Sequence, residues 1–130
     1  ASGGELARIT LALKVVLAKA YAIPTVIFDE VDAGIGGAAA AAVGSRLSNL
    51  AHESQVLVVT HSPQVAARGS THLQISKISN EKGNKTEVRM ISEGVRIEEI
   101  ARMLSGANVS EEARAAAISL LESDNSRVAQ

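Results

Sequence analysis

Apolar residues recur along the first twenty positions at the spacing of one helical face. Pro24 then interrupts the helical pattern. A short apolar run from Thr25 to Phe28 follows, rich in β-branched residues and ending in two acids, which is typical of a buried strand. The chain is thus predicted to begin with a helix from Glu5 to about Ala20 and a strand. The apolar positions of the helix are Leu6, Ile9, Leu13, Val16, Leu17 and Ala20.

The same design is repeated further along the chain. An alanine-rich stretch over positions 38–50 predicts a second helix, and the apolar run Val56 to Val59 predicts a second strand. Two continuously apolar strands joined by a helix form a βαβ unit of a parallel sheet. Ligands of such sheets bind beyond the carboxyl ends of the strands, which here carry the sequences DE and THS.

The pattern changes after Pro63. Segments 73–78 and 86–91 flank the polar sequence SNEKGNK, which is typical of a β-hairpin, and two helices are predicted around 95–104 and from Ser110. The predicted fold class is therefore α/β, with a parallel βαβ core, a C-terminal β-hairpin and terminal helices.

Composition narrows the classes of function. The 130 residues include 13 Lys plus Arg against 14 Asp plus Glu, 2% aromatics and no Cys. A near-neutral charge and so few aromatics give no general signature of nucleic-acid binding. The absence of Cys removes disulfides and thiolate metal sites. No apolar run approaches the roughly 20 residues of a membrane-spanning helix, so we expect no membrane partner.

The sequence SGGE precedes the first helix. Ser2 and Glu5 fit a capping box. Gly3 and Gly4 are not explained by capping, because each costs up to ~1 kcal/mol relative to alanine in a helix. Bare backbone N–H groups at a helix start suit an anion such as phosphate. A plain helix cap and a phosphate site both stay open from these residues alone.

The strand ends carry the residues that suit catalysis. In P-loop NTPases, an acid where Asp29 stands holds Mg²⁺ and a neighbour such as Glu30 polarises the attacking water; two solvated acids are the plain alternative. His61, between two hydroxyl residues, suits a catalytic or a structural role. Asp29, Asp32 and His61 also suit a metal hydrolase, but the chain lacks paired-His spacing.

A glycine motif lies between the first strand and the second helix. Gly34, Gly36 and Ala39 spell G-x-G-x-x-A, the pattern of a dinucleotide-binding loop. Three carboxylates at positions 29, 30 and 32 precede these glycines and would repel a pyrophosphate. The second strand also ends in Thr60 and His61 rather than in an acid for a ribose hydroxyl. The dinucleotide interpretation is therefore disfavoured.

The order of the motifs is more specific than any one of them. SGGE, a helix, a strand ending FDE, a loop with Asp and a strand ending THS resemble the C-terminal half of an ABC-type ATPase head, a P-loop NTPase fold. The segments FDEVDAGIGG, QVLVVTHSPQVAARG, THLQISK and VRIEEIARMLSG are similar to the RecN family of bacterial DNA double-strand-break repair proteins, which are related to SMC proteins. This resemblance runs from Ser2 to about Leu121.

The resemblance implies a role for each strand-end residue. Asp29 would end the Walker B strand and help to hold Mg²⁺, and Glu30 would be the catalytic carboxylate that orients or deprotonates water. Asp32 would open the D-loop, which crosses the dimer interface in this family. His61 would be the switch histidine that touches the γ-phosphate.

The SGGE sequence also gains a role from the resemblance. Ser2, Gly3 and Gly4 would form the signature loop, with Glu5 capping it, and this loop would bind the γ-phosphate of ATP held by a second head. Ala1 stands where ABC signatures usually begin with Leu.

The Walker A motif G-x-x-x-x-G-K-[ST] is absent from positions 1–130. We therefore expect this sequence to be the C-terminal half of a head in a longer cytoplasmic, nucleoid-associated bacterial protein. That protein would hydrolyse ATP with Mg²⁺ as a homodimer of heads and bind DNA in repair and recombination, whereas this segment alone would be inactive. A non-catalytic interaction module built on the same sheet is the alternative.

Overall fold

The computed structural model describes residues 3–128, and apart from one short helix its elements follow the predicted order. Within these residues no helix is long and apolar enough to cross a membrane. The helices are α1 (Gly3–Ala20), α2 (Gly37–Leu50), α3 (Pro63–Ala66), α4 (Glu93–Ser105) and α5 (Glu111–Val128). The strands are β1 (Thr25–Asp29), β2 (Gln55–Val59), β3 (Leu73–Asn80) and β4 (Gly83–Met90).

Strands β1 and β2 form the parallel pair that the sequence predicts. Thr25 lies opposite Gln55 and Asp29 lies opposite Val59, with α2 as the connection. The N–H of Glu30 donates to the carbonyl of Val59 at 3.1 Å, so the pairing continues past the end of β1. The two carboxyl ends therefore lie side by side, and the polar residues that follow each strand become neighbours.

Two hydrophobic clusters hold the helices. The first lies between the β1–β2 pair and helices α1 and α2, with Phe28 and Leu50 fully buried at its centre. The second joins α3, α4 and α5 around the fully buried Ile100. Apart from Phe28, the buried residues of both clusters are aliphatic, which agrees with an aromatic content of 2%.

The apolar face that marks α1 in the sequence is not the face that packs on the sheet. Helix α1 packs through Leu11, Val15 and Ala18. A helix that is apolar on two sides needs a neighbour on both. In the described part of the chain, however, the second face of α1 is uncovered. The residues on this uncovered face are Leu6, Ile9, Leu13, Val16 and Leu17, each at least 40% exposed.

The β1–β2 pair is also covered on one face only. Phe28 and its neighbours pack into the core, whereas Ile27, Leu57 and Val59 on the other face are 61%, 41% and 44% exposed. Parallel sheets usually have both faces covered, and the continuously apolar sequence of both strands predicts this. Within residues 3–128, nothing covers the second face.

Strands β3 and β4 form the predicted hairpin, joined by the two residues between Asn80 and Gly83. Gln74 on one face donates to Glu99 of α4 at 2.8 Å, and Arg102 donates to the same carboxylate at 2.9 and 2.6 Å. Hydrogen bonds from Arg102 are the main cause that lowers the pKa of Glu99 below its ordinary value, against the effect of burial. This network fastens the hairpin to α4.

Helix α3 is a single turn that the apolar pattern does not reveal. Ser62 caps its N-terminus and Pro63 occupies its first position, a combination typical of helix starts. At the other end, Arg96 of α4 donates to the carbonyls of Ala66 and Gly69 at 3.0 and 2.5 Å. The segment that follows β2 is therefore held at both ends.

Gly44 allows α2 to approach α3 closely. A Cβ at Gly44 would lie 2.8 Å from Cγ of Arg68 and 3.1 Å from the carbonyl oxygen of Gln64. We expect Gly44→Ala to destabilise the fold by about 1–2 kcal/mol, because the overlap outweighs the better helix propensity of alanine. Gly94→Ala in α4 is the matched control, since a Cβ there meets no atom within 4 Å. Gly94→Ala should raise the free energy of unfolding, measured by chemical denaturation, by up to ~1 kcal/mol. Equal changes in this free energy for both variants would contradict the prediction.

Candidate functional site

Glu30 adopts a backbone conformation that glutamate rarely takes. Its φ is +51°, and within residues 3–128 the other non-glycine residue with positive φ is Ala22 at +48°. Ala22 follows α1, where Ile23 N–H donates to the Ala18 carbonyl at 3.0 Å in a common helix-ending motif. Glu30 ends no helix. Left-handed non-glycine residues cost about 1–3 kcal/mol and cluster at functional sites, so Glu30 is a candidate on structural grounds alone.

Glu30 and His61 face each other across the ends of β1 and β2. Oε1 of Glu30 lies 3.9 Å from Nε2 of His61, and their side chains are 65% and 87% exposed. The structure thus brings the two predicted catalytic residues together, with both reactive groups open to a ligand that enters from solvent.

Asp32 is turned inward instead. It is 7% exposed, and its Oδ2 accepts hydrogen bonds from the Thr60 hydroxyl and, at 3.0 Å, from the Ser62 N–H. The loop after β1 is therefore tied to the loop after β2. The hydroxyls beside His61 are visible in the sequence, but their contact with Asp32 is not, because only the folded path of both loops creates it.

A cleft of about 420 Å³ opens over these loops. Its volume lies within the range of small-molecule sites. Glu30 and Asp32 line the cleft together with Gly34 and Gly36, which agrees with the argument against a pyrophosphate on this glycine loop. Gln64 also lines it and was not predicted; the Ser-Pro start of α3 is the signal that could have placed it there.

Asp29 lies at the end of β1 and is exposed. It lines a second cavity of about 260 Å³ together with Lys14 and Glu30, so Glu30 borders both cavities. An accessible carboxylate suits Mg²⁺, which is usually bound by one or two carboxylates plus water and substrate phosphates. The donor chemistry at Asp29 therefore fits the predicted metal.

The metal-hydrolase alternative loses its ligand set. Among the residues that the structure describes, no three His, Cys, Asp or Glu side chains gather as ligands of one metal ion. Asp32 is already bonded to Thr60 and Ser62, while His61 lies beside Glu30. Asp29, Asp32 and His61 thus do not form one site.

The glycines of the SGGE sequence lie at the start of α1. Ser2 lies outside the described residues, so its predicted cap is not tested. A Cβ at Gly4 would lie 3.8 Å from the carbonyl oxygen of Gly34, an ordinary contact, and the φ of Gly4 is not in the left-handed region. Neither packing nor backbone conformation within residues 3–128 requires glycine at position 4, so the predicted approach of an anion to this helix start stays a prediction.

Comparison with known proteins finds relatives that are about half identical to this chain in sequence. No protein-family model matches the chain. The chain is 50% identical over 122 residues to "DNA repair protein RecN" of Xylella fastidiosa strain Temecula1, covering 94% of this chain and 22% of that protein. It is 48% identical over 122 residues to the RecN of Streptomyces coelicolor, with 94% and 21% covered. The RecN of Deinococcus radiodurans is 54% identical over 113 residues, with 87% and 20% covered.

The chain spans about a fifth of the length of these curated relatives. Among solved structures, one from "Structural biochemistry of ATP-driven dimerization and DNA stimulated activation of SMC ATPases" matches with a TM-score of 0.66 at 23% identity. The match covers 83% of this chain and 65% of that chain. This likeness confirms the predicted α/β fold class, with its parallel strand pair and antiparallel hairpin.

Proposed function

Because the chain is a relative of one segment of RecN-type DNA repair proteins and has an SMC ATPase fold, we propose that it is the C-terminal half of such a protein's ATPase head. The whole protein would act in DNA double-strand-break repair and recombination, in the bacterial cytoplasm at the nucleoid, through ATP-driven dimerisation of its heads. The observation that carries the proposal is the pairing of Glu30 with His61 at adjacent strand ends, 3.9 Å apart.

Each residue at the strand ends has a task in ATP hydrolysis. Glu30 would accept a hydrogen bond from the attacking water and orient it toward the γ-phosphate. His61, beside Glu30, would hydrogen-bond the γ-phosphate and detect its presence. Asp29 would hold Mg²⁺, which neutralises charge on the phosphates. The side chains of Glu30 and His61 are both exposed, which suits a substrate that another part of the protein brings to this edge of the sheet.

The uncovered apolar surfaces support a missing second half. One face of α1 and the outer face of the β1–β2 pair, with Ile27 at 61% exposure, have no neighbour within residues 3–128. Extended apolar patches mark places where another segment packs. The relatives are more than four times as long as this chain, so a parent protein of that length has ample sequence for such a segment. We propose that this segment carries the Walker A motif.

The test compares the parent protein with the isolated 130 residues. The parent should hydrolyse ATP, whereas the isolated segment should show only background phosphate release, because positions 1–130 contain no Walker A motif to hold the phosphates. A parent variant with its Walker A lysine replaced should match the isolated segment and so controls for contaminating activity. Hydrolysis by the pure segment, insensitive to further purification, would contradict the proposal.

A non-catalytic interaction module is the second candidate, and the exposed apolar faces favour it. Such a module has no chemical reason to keep Glu30 beside His61. A parent protein that neither binds nor hydrolyses ATP but still acts in repair would support the module and exclude the ATPase head.

A further inference from the structure

The buried carboxylate of Asp32 needs an explanation beyond its place in a loop. Burial of an ionised carboxylate is costly unless it accepts hydrogen bonds. Here the donors are the Thr60 hydroxyl and the Ser62 N–H, and Ser62 N–H also lies 2.9 Å from Oγ1 of Thr60. Asp32, Thr60 and Ser62 therefore form a closed network of three residues.

The network holds the residue before His61 and the residue after it. The two chain neighbours of His61 are fixed by Asp32, while its own side chain is 87% exposed. The backbone of His61 is thus held on both sides and the imidazole is left accessible. Hydrogen bonds to a charged acceptor are roughly twice as strong as neutral ones, so Asp32 is well suited to hold this loop.

Asp32 also stands two residues after Glu30 in the same short loop. A link from Asp32 to both sides of His61 therefore fixes the separation between Glu30 and His61, which is 3.9 Å. A turn of backbone hydrogen bonds, from Ala33 N–H to the Glu30 carbonyl and from Ile35 N–H to the Asp32 carbonyl, keeps this loop compact.

We propose that Asp32 is a positioning residue that holds His61 in register with Glu30 within one subunit. The proposal rests on the proposed ATPase function and deepens it. It gives the Asp32 side chain a task inside its own head, whereas the family resemblance implies a place at the dimer interface. The two roles differ in what the loss of Asp32 changes: the rate of hydrolysis or the assembly of heads.

The experiment uses the full-length protein. Asp32→Ala should lower kcat for ATP hydrolysis by about 10- to 100-fold, because misplacement of a reacting group by about 1 Å has an effect of this size. KM for ATP and ATP-dependent dimerisation, measured by light scattering, should stay within about twofold of the parent. Asp32→Asn keeps an acceptor oxygen for both donors and should recover most of the lost rate.

Thr60→Val tests the network from its other side. It removes one donor, should lower kcat by less than Asp32→Ala, and should add little when combined with Asp32→Ala, because the two residues act as a unit. This variant and Asp32→Asn change no side-chain volume appreciably, so they stay informative if Asp32→Ala folds poorly.

The outcomes separate the proposals. A parent protein without ATPase activity refutes the proposed function and this inference with it. An active parent whose Asp32→Ala, Asp32→Asn and Thr60→Val variants all keep the parental kcat refutes the positioning role alone. Loss of ATP-dependent dimerisation at unchanged kcat per assembled dimer would place Asp32 at the interface and also overturn it.

Discussion

Glu30→Gln in the full-length protein should leave ATP binding intact and slow hydrolysis by about a hundredfold to ten-thousandfold, the usual contribution of a general base. Glutamine keeps the shape of the side chain but cannot take a proton from water. Asp29, the proposed Mg²⁺ ligand, is unchanged. The variant should therefore bind ATP with the parental Kd in equilibrium titration while phosphate release falls, and it should trap the ATP-bound head dimer.

Glu53→Gln is a matched control for this experiment. Glu53 is exposed and precedes β2, at the opposite end of the strand from His61, so its neutralisation should leave kcat unchanged. A Glu30→Gln protein that hydrolyses ATP at the parental rate would remove Glu30 from the proposed mechanism. A fall in ATP affinity with unchanged kcat would instead place Glu30 in ground-state binding.

Apart from α3, the element order was predictable because it depends on local periodicity. Pro24, the apolar strands and the hairpin turn each act over a few residues, and all appear in the structure at the predicted places. The packing side of α1 was not predictable in the same way. The helix carries apolar residues on two sides, with Leu11 and Ala18 on one and Leu6 and Leu13 on the other. Which side meets the sheet depends on the path of the whole chain, not on the helix itself.

The candidate site likewise has features that could be predicted from the sequence and features that depend on the folded chain. The meeting of Glu30 and His61 follows from a topological rule, since carboxyl ends of parallel strands share an edge. The inward turn of Asp32 and the left-handed backbone of Glu30 do not follow from residue types, because glutamate has no preference for positive φ and an aspartate in a loop is usually solvated. Both features arise from the two loops constraining each other.

The signature sequence yields the other large expected effect. Neither packing nor backbone conformation within residues 3–128 demands glycine at position 4, and we propose that an anion from outside the segment approaches this helix start closely. If that anion is the γ-phosphate of ATP on a second head, bulk here must block dimerisation without touching the head's own Glu30 and His61.

Ser2→Arg should therefore abolish ATP-dependent dimerisation of the full-length protein in light scattering, and steady-state hydrolysis should fall with it, because each site needs both heads. ATP binding to a single head should stay within about twofold of the parent, since in the proposed dimer the signature loop would contact only the partner's nucleotide. Ser79→Arg, the same exchange on the exposed β3–β4 hairpin, should leave the dimer intact. If Ser2→Arg heads still dimerise with ATP, the phosphate does not come from a second head. The glycines would then require a ligand bound within one subunit, which equilibrium ATP titration of the same variant would reveal as a weakened Kd.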